Sequence, residues 1–446
     1  MNDASLARRV SLGYAAGSVG TGAFGVLPGL VLAYYLTDSL GVGALLASIV
    51  VVIPKAIDVA VNPLIGARSD HDLARHGRRT RLMWIGAATI VPLFVLTFCV
   101  PSGTAPALAA LWVLIFFSLT ALAYACFQVP YIALPAELTP DYHERTRLIS
   151  DRITVLAITI LVVGAGAPAI RDALGGGAGG YAGMAAATAA IIGLGMAAAT
   201  GLAARAASPP RTAGARSGSR ARDAFHALRD HRHYRILVSV FVIQALASAV
   251  MLAGAQYLAT YVIDDKSALT LLFAALVAPA ILVMPFWVRI GKRHGKRRAL
   301  VLASTLFMLA ALSIALAVPV PGIWVLAPVA ICGVGYAGMQ TFPLAMLPDV
   351  IDEHSRIHGR DTGGALSGLW TAAETLGLAV GPGLYLLVLA ATGFVSSTSG
   401  ETAVQPRSAE IGIILGFAAL PAVLIAISLA VLSRYGDDTT EESAPA

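Results

Sequence analysis

Residues 82–136 read LMWIGAATIVPLFVLTFCVPSGTAPALAALWVLIFFSLTALAYACFQVPYIALPA, without one Asp, Glu, Lys or Arg. A bilayer core takes about 20 apolar residues per helix, so this run is too long for one crossing and must fold back on itself. Pro101-Ser102-Gly103 marks the turn. Further uncharged runs occupy 10–37, 173–204, 236–263, 299–348 and 411–433, and the one from 299 to 348 breaks at Pro319 to Gly322. Worked outward in this way, the chain has twelve expected spans, near 11–37, 41–67, 81–100, 107–134, 149–170, 181–204, 236–262, 269–289, 299–318, 323–347, 364–392 and 411–433. The expected fold class is an all-α membrane protein.

Composition excludes the main alternatives. Charged residues make up 13% of the chain and hydrophobic ones 57%, whereas about a quarter of an ordinary soluble domain is charged. The mean hydropathy of +0.77 points the same way. Membrane strands are excluded because the runs are too long and lack two-residue alternation. Cys99, Cys126 and Cys332 lie apart inside expected spans, which suits packing better than a disulfide framework or a metal site. The first apolar run is too long for the core of a signal peptide and is expected to stay as a helix. Gly13, Gly17, Gly20, Gly22, Gly25 and Gly29 give span one a small-residue surface for close packing. They have no phosphate-binding lysine or strand context beside them. Gly175 to Gly180 reads as an outer loop.

Basic residues set the expected orientation. Of 31 Lys and Arg, nearly all fall at the termini or in alternate loops: Arg8 and Arg9, Arg68 to Arg81, Arg145 to Arg152, Arg205 to Arg235, Arg289 to Arg298, Arg356 and Arg360, and Arg434. By the positive-inside rule both termini are cytoplasmic and the protein is a multi-pass component of the cell membrane. The basic balance then reports topology and attraction to anionic lipids, with no nucleic-acid partner expected.

The chain repeats itself in halves. Pro130-Tyr131-Ile132-Ala133-Leu134-Pro135 leaves span four, and Pro343-Leu344-Ala345-Met346-Leu347-Pro348 leaves span ten. Each is followed by a loop bearing acids and arginines. Gly77-Arg78-Arg79 after span two has its counterpart in Gly295-Lys296-Arg297 after span eight. Two six-span halves, 1–204 and 236–446 with a short cytoplasmic tail, joined by a basic cytoplasmic linker at 205–235, are what alternating access requires. Within the repeated loops, Arg68, Asp70, Gly77, Arg78, Arg79, Arg145, Asp349 and Arg360 are the candidate gating residues.

Taken together, Pro54-Lys55-Ala56-Ile57-Asp58-Val59-Ala60-Val61-Asn62-Pro63-Leu64-Ile65-Gly66, the Gly-Arg-Arg turn, Val129-Pro130-Tyr131-Ile132-Ala133-Leu134, Leu347-Pro348-Asp349-Val350-Ile351-Asp352 and Gly368-Leu369-Trp370-Thr371 resemble the glycoside-pentoside-hexuronide:cation symporters, the melibiose-carrier group of the major facilitator superfamily. The resemblance runs in order along nearly the whole chain. It implies the major facilitator fold of twelve helices in two halves, and cation-driven symport of a sugar-like or other small organic solute. The proton is favoured over sodium as the coupling ion. An efflux antiporter and a lysolipid-type carrier share the same landmarks and stay open. The chain is expected to be no enzyme, to need no cofactor or metal, and to work as a monomer among membrane lipids.

Asp58 leads the candidate residues. A carboxylate in an apolar span can take up a proton or neutralise a cation as the protein moves. Lys55 and Asn62 lie about one turn to either side on the same face. The resemblance implies a cation role for Asp58, a basic residue at Lys55, and a second carboxylate where this chain has Asn62. Glu374 is the other intramembrane acid. The resemblance places a lysine of the cation site at Thr375, which this chain lacks. Candidate solute contacts are Tyr35, Tyr124, Gln128, Gln256, Tyr257, Gln340 and Trp370, with Tyr34, Gln244 and Tyr336 as further polar residues in the spans. Aromatic rings suit either a sugar face or a hydrophobic solute. In sugar-carrying relatives two aspartates bind sugar hydroxyls where this chain has Gly22 and Gln128, which implies a different solute. All nine histidines lie in expected cytoplasmic segments. His231-Arg232-His233 reads as an interfacial loop and not as a metal site.

Overall fold

The computed structural model describes residues 8–139, 141–207, 231–265, 268–358, 363–398 and 403–435. Apart from short connections and one antiparallel bridge between Leu40 and Thr398, these residues are helical. Helix α1 spans Arg8–Leu27 and continues through two wider π-helical turns, Pro28–Leu32 and Tyr35–Ser39. It is followed by α2 (Ala44–His76), α3 (Thr80–Phe98), α4 (Pro106–Leu138), α5 (Tyr142–Ala173) and α6 (Ala178–Ala198). Next come α7 (Arg232–Tyr261), α8 (Ala268–Leu282), α9 (Met284–His294) and α10 (Lys296–Ile314). Helices α11 (Leu326–His358), α12 (Gly363–Ala391), α13 (Arg407–Phe417) and α14 (Ala419–Leu432) complete the series. Among the described residues eleven stretches are long and apolar enough to cross a membrane, and α8 with α9, bent by 50°, makes a twelfth if the pair is one span. Pro279 and Pro285 flank that bend, and each ring removes a backbone donor and crowds the preceding turn.

Several helices outrun their expected spans. Helix α2 continues to His76, α4 to Leu138 and α11 to His358, while α5 begins at Tyr142. The proline hexamers therefore lie inside helices, with the chain still helical beyond them. Hydropathy registers only the apolar length, whereas these extensions are held by polar contacts. Asp141 caps α5 by accepting from the Glu144 amide at 2.7 Å. Gly77 ends α2 at φ 69°, a left-handed cap that glycine adopts without strain.

By packing, the chain forms two compact units: Met1–Ala215 with Leu252–Ala274 and Pro382–Ile413, and Arg216–Met251 with Ala275–Gly381 and Ile414–Ala446. The first is built on α1, which packs on α5 and α6, and on α3 and α2, which pack on α4. The second is built on α10, α11 and α14. Small residues permit the approach. A side chain at Gly86 would meet the Ala123 carbonyl oxygen at 2.6 Å and the Phe127 nitrogen at 2.8 Å, so α3 and α4 touch backbone to backbone.

Candidate functional site

In the first unit, α2 carries Lys55, Asp58 and Asn62 on one face. Asp58 is 6% exposed, and its Oδ1 is sealed from solvent with no hydrogen-bond donor among the described residues. The Oδ1 of Asn62 and the Oε1 of Gln128 are likewise sealed and without a donor. Gln128 lies on α4, against which α2 packs. Phe24 of α1 completes the cluster. The Lys55 ammonium stands 5.3 Å from its ring centroid, and Tyr124 of α4 stacks on it at 4.3 Å and 27°. Tyr124 also lies within electrostatic range of Asp58 and Arg152. Helices α2 and α4 thus carry three donorless oxygens, and Lys55, Asp58, Phe24 and Tyr124 form one cluster between α1, α2 and α4. A group bringing positive charge or hydrogen-bond donors would satisfy those oxygens, each of which otherwise bears the cost of burial.

Gly22 is not open to this cluster. A Cβ there would sit 3.2 Å from both Leu156 Cδ1 and Thr159 Cβ of α5. The position implied for a solute-binding acid in sugar-carrying relatives is here a helix-packing contact.

In the second unit, Glu374 of α12 is half-buried and within electrostatic range of Tyr336. Tyr336 accepts from Gln340 Nε2 at 3.2 Å, one turn along α11. Trp370 is buried and stacks on Phe241 of α7 at 4.3 Å, and its indole N–H is sealed without an acceptor among the described residues. Thr375 turns its hydroxyl onto the Thr371 carbonyl of its own helix at 2.9 Å. Gln244 donates from Nε2 to Ser304 and Ser428 at 3.0 and 3.1 Å, and its own Oε1 is sealed without a donor among the described residues.

Three expected solute contacts fall elsewhere in the first unit. Tyr35 is buried against Phe98 and Tyr181 and donates to the Phe98 carbonyl at 2.9 Å. Gln256 accepts from Arg171 Nη2 at 3.0 Å, and Tyr257 meets Thr37 at 2.8 Å. Both are wholly buried in a polar network near the end of α1. That network includes Asp38 and Arg171, 6% and 2% exposed, which sequence reasoning passed over. Asp38 ends the first uncharged run, so the signal was one acid at a span boundary. Beyond the adjacent Thr37, its partner Tyr261 lies 223 positions away.

The repeated loops form one clamp in each unit. Arg79, beside the Gly77 cap, bonds Glu137 at 2.5 Å, Asp70 at 2.7 Å and Ser69 at 2.7 Å. Lys296, beside Gly295, bonds Asp349 at 2.6 Å and the Ala345 carbonyl at 2.9 Å. Burial opposes charge on Arg79, yet its bonds to Glu137 and Asp70 outweigh that and hold its pKa above the ordinary value. Burial pushes the Glu137 carboxyl upward against the pull of Arg79. Among the other gating candidates, Arg68 lies 3.8 Å from Asp72, Arg78 is exposed, and Arg145 bonds the Thr139 carbonyl at 3.2 Å. Arg360 lies outside the described residues. His231 is buried and accepts from the Tyr234 amide at the start of α7, while His233 lies 3.1 Å from Glu353. The histidines thus belong to a helix end and not to a solvated loop. Arg152, read as a loop residue, lies well inside α5 with its guanidinium 5.4 Å from the Tyr131 ring centroid.

Residues 13–436 match the family model described as MFS/sugar transport protein. The chain is 32% identical over 169 residues to the uncharacterized symporter sll1374 of Synechocystis, a match covering 35% of this chain and 31% of that one. It spans less than a third of that relative's length. It is 23% identical over 433 residues to the uncharacterized symporter YnaJ of Bacillus subtilis, covering 96% and 91%. To the sodium-dependent lysophosphatidylcholine symporter 1 of Mus musculus it is 27% identical over 398 residues, covering 78% and 71%. Among solved structures, a D-xylose-proton symporter superposes with a TM-score of 0.72 at 14% identity, covering 98% of this chain and 99% of that one.

Proposed function

Because the chain belongs to the MFS/sugar transport protein family, we propose that it is a cation-coupled symporter that moves a small organic solute by alternating access. The observation that carries this reading is the set of three donorless oxygens on Asp58, Asn62 and Gln128. A cation bound at Asp58 neutralises the only formal negative charge of that set, and the neutral site then passes through the apolar interior at lower cost. Lys55 holds the site electrically balanced when the cation has left. Glu374, with Tyr336 and Gln340, supplies the corresponding polar patch of the second unit.

The proton is the favoured ion. Asn62 offers an amide oxygen where a second carboxylate would serve a metal ion better, and the Thr375 hydroxyl is engaged with its own backbone. Sodium, the ion in the mouse relative's name, is the competitor for the same site. The solute is uncharged or carries its own donors. Gln128 and the packed Gly22 provide no pair of carboxylates to clasp sugar hydroxyls, so the recognition differs from that of a galactoside carrier. The chain works as a monomer, with both termini cytoplasmic, and 1–204 and 236–446 acting as the two halves about the 205–235 linker.

The test is uptake by purified protein in sealed liposomes, screening solutes under an imposed pH gradient. Saturable accumulation is expected, and the Asp58→Asn protein should bind solute yet fail to concentrate it. Accumulation by Asp58→Asn equal to the parent, with the same ion dependence, would overturn the assignment.

A further inference from the structure

We propose that Asp38 is the pin of a latch that closes the solute path at the end opposite the basic loops, and that it holds as the ionised carboxylate. The inference rests on the transport reading but on different residues. Its geometry lies wholly within the first unit. Thr37 Oγ1 is 2.5 Å from Asp38 Oδ2 and 2.8 Å from the Tyr257 hydroxyl. A threonine hydroxyl has one proton to give, and a carboxylate has none. Thr37 therefore donates to Asp38, with the Ala33 carbonyl as a longer second acceptor at 3.3 Å, and Tyr257 donates to Thr37. Tyr261 donates to the other carboxylate oxygen, Oδ1. One buried charge thus orients three hydroxyls from two helices.

The same end of α1 is also tied to the segment after α12. The Ser397 amide donates to the Thr37 carbonyl at 2.9 Å, Ser396 Oγ donates to the Val42 carbonyl at 2.8 Å, and Leu40 bridges Thr398. A second line runs alongside, in which Arg171 donates to Gln256, Gln256 to Thr260 at 3.2 Å, and Thr260 to Tyr34 at 3.2 Å. These bonds join the first repeat of the chain to the second. In an alternating-access cycle such ties must part at one end during each turnover. Hydroxyls and a carboxylate can exchange one another for water on exposure, so the latch can break and re-form. The two π-helical turns of α1 place Thr37 and Asp38 in this position, and π-turns concentrate at functional sites.

An asparagine at position 38 would remove the charge and turn an amide N–H to one of the two hydroxyls, which would have to rotate to accept, so the charge assistance of that bond is lost. The test follows opening without any solute. Cys99, Cys126 and Cys332 are replaced by alanine, and Ala33, 1% exposed, becomes the only cysteine (A33C) in full-length protein in lipid nanodiscs. Labelling by a polar maleimide should speed up about tenfold on Asp38→Asn, the factor matching loss of one charge-assisted hydrogen bond. Tyr261→Phe should act in the same direction. A second background that keeps only Cys332, which is wholly buried in the other unit, should label no faster. Unchanged A33C labelling in both variants would overturn the latch. So would faster labelling of A33C and Cys332 together in both, because that is general loosening. If Asp38→Asn alone loosens Cys332, Tyr261→Phe decides. Absence of any solute uptake by the parent protein would defeat the transport reading and leave the labelling result standing.

Discussion

Asp58 and Glu374 are both carboxylates in apolar helices, but their surroundings differ. Asp58 has an ammonium one turn away and two further donorless oxygens on α2 and α4, whereas Glu374 stands near a tyrosine–glutamine pair. Neutralising them should therefore have unequal effects. Asp58→Asn should abolish accumulation, while Glu374→Gln should leave a residual gradient, measured as the ratio of internal to external solute in vesicles. At Gln128, truncation removes an amide whose oxygen has no donor among the described residues. Gln128→Ala should weaken apparent solute affinity by about 1–2 kcal/mol, read as a rise of roughly tenfold in half-saturating concentration with protein yield unchanged. An unchanged half-saturation would place Gln128 outside the solute site.

Helices were the most legible element, and their ends the least. The span from 81 to 100 and its partner from 107 to 134 could be placed because an uncharged run longer than one crossing has to turn, and proline with glycine shows where. The extension of α2 to His76 and the early start of α5 at Tyr142 could not be read this way, because charged helical turns look like loop on a hydropathy scale. In the candidate site, Asp58 and its neighbours were legible because local spacing fixes which residues share a helical face. Tyr35, Gln256 and Tyr257 looked the same as Tyr124 and Gln128 in sequence. Only the neighbours that tertiary packing brings up distinguish a packing hydroxyl from a donorless amide. Contacts between elements set the stability expected at this scale. A side chain at Gly333 of α11 would drive into the Leu276 carbonyl of α8. Gly333→Ala should lower stability by about 1–3 kcal/mol, visible as a reduced thermal midpoint in detergent, whereas the same change at the unobstructed Gly166 should not.

At the scale of the whole molecule, the coupling ion is decided by flux. A pH gradient should drive uptake and a sodium gradient at fixed pH should not; uptake with sodium alone and no proton movement would transfer the role to the metal ion. The two clamps of the repeated loops carry a further consequence. The pair in the first unit is nearly sealed, with Arg79 and Glu137 side chains 10% and 4% exposed. The pair in the second unit is open to water, with Lys296 and Asp349 at 43% and 59%. Mobile ions screen exposed charges beyond about 8 Å at physiological ionic strength and reach sealed ones poorly, and an open pair contributes at most about 1 kcal/mol. The repeats that look alike in sequence should therefore answer differently to salt. Raising potassium chloride should quicken backbone amide exchange around Gly295 while the turn at Gly77 keeps its protection, which would make ionic strength an asymmetric control on an otherwise duplicated molecule.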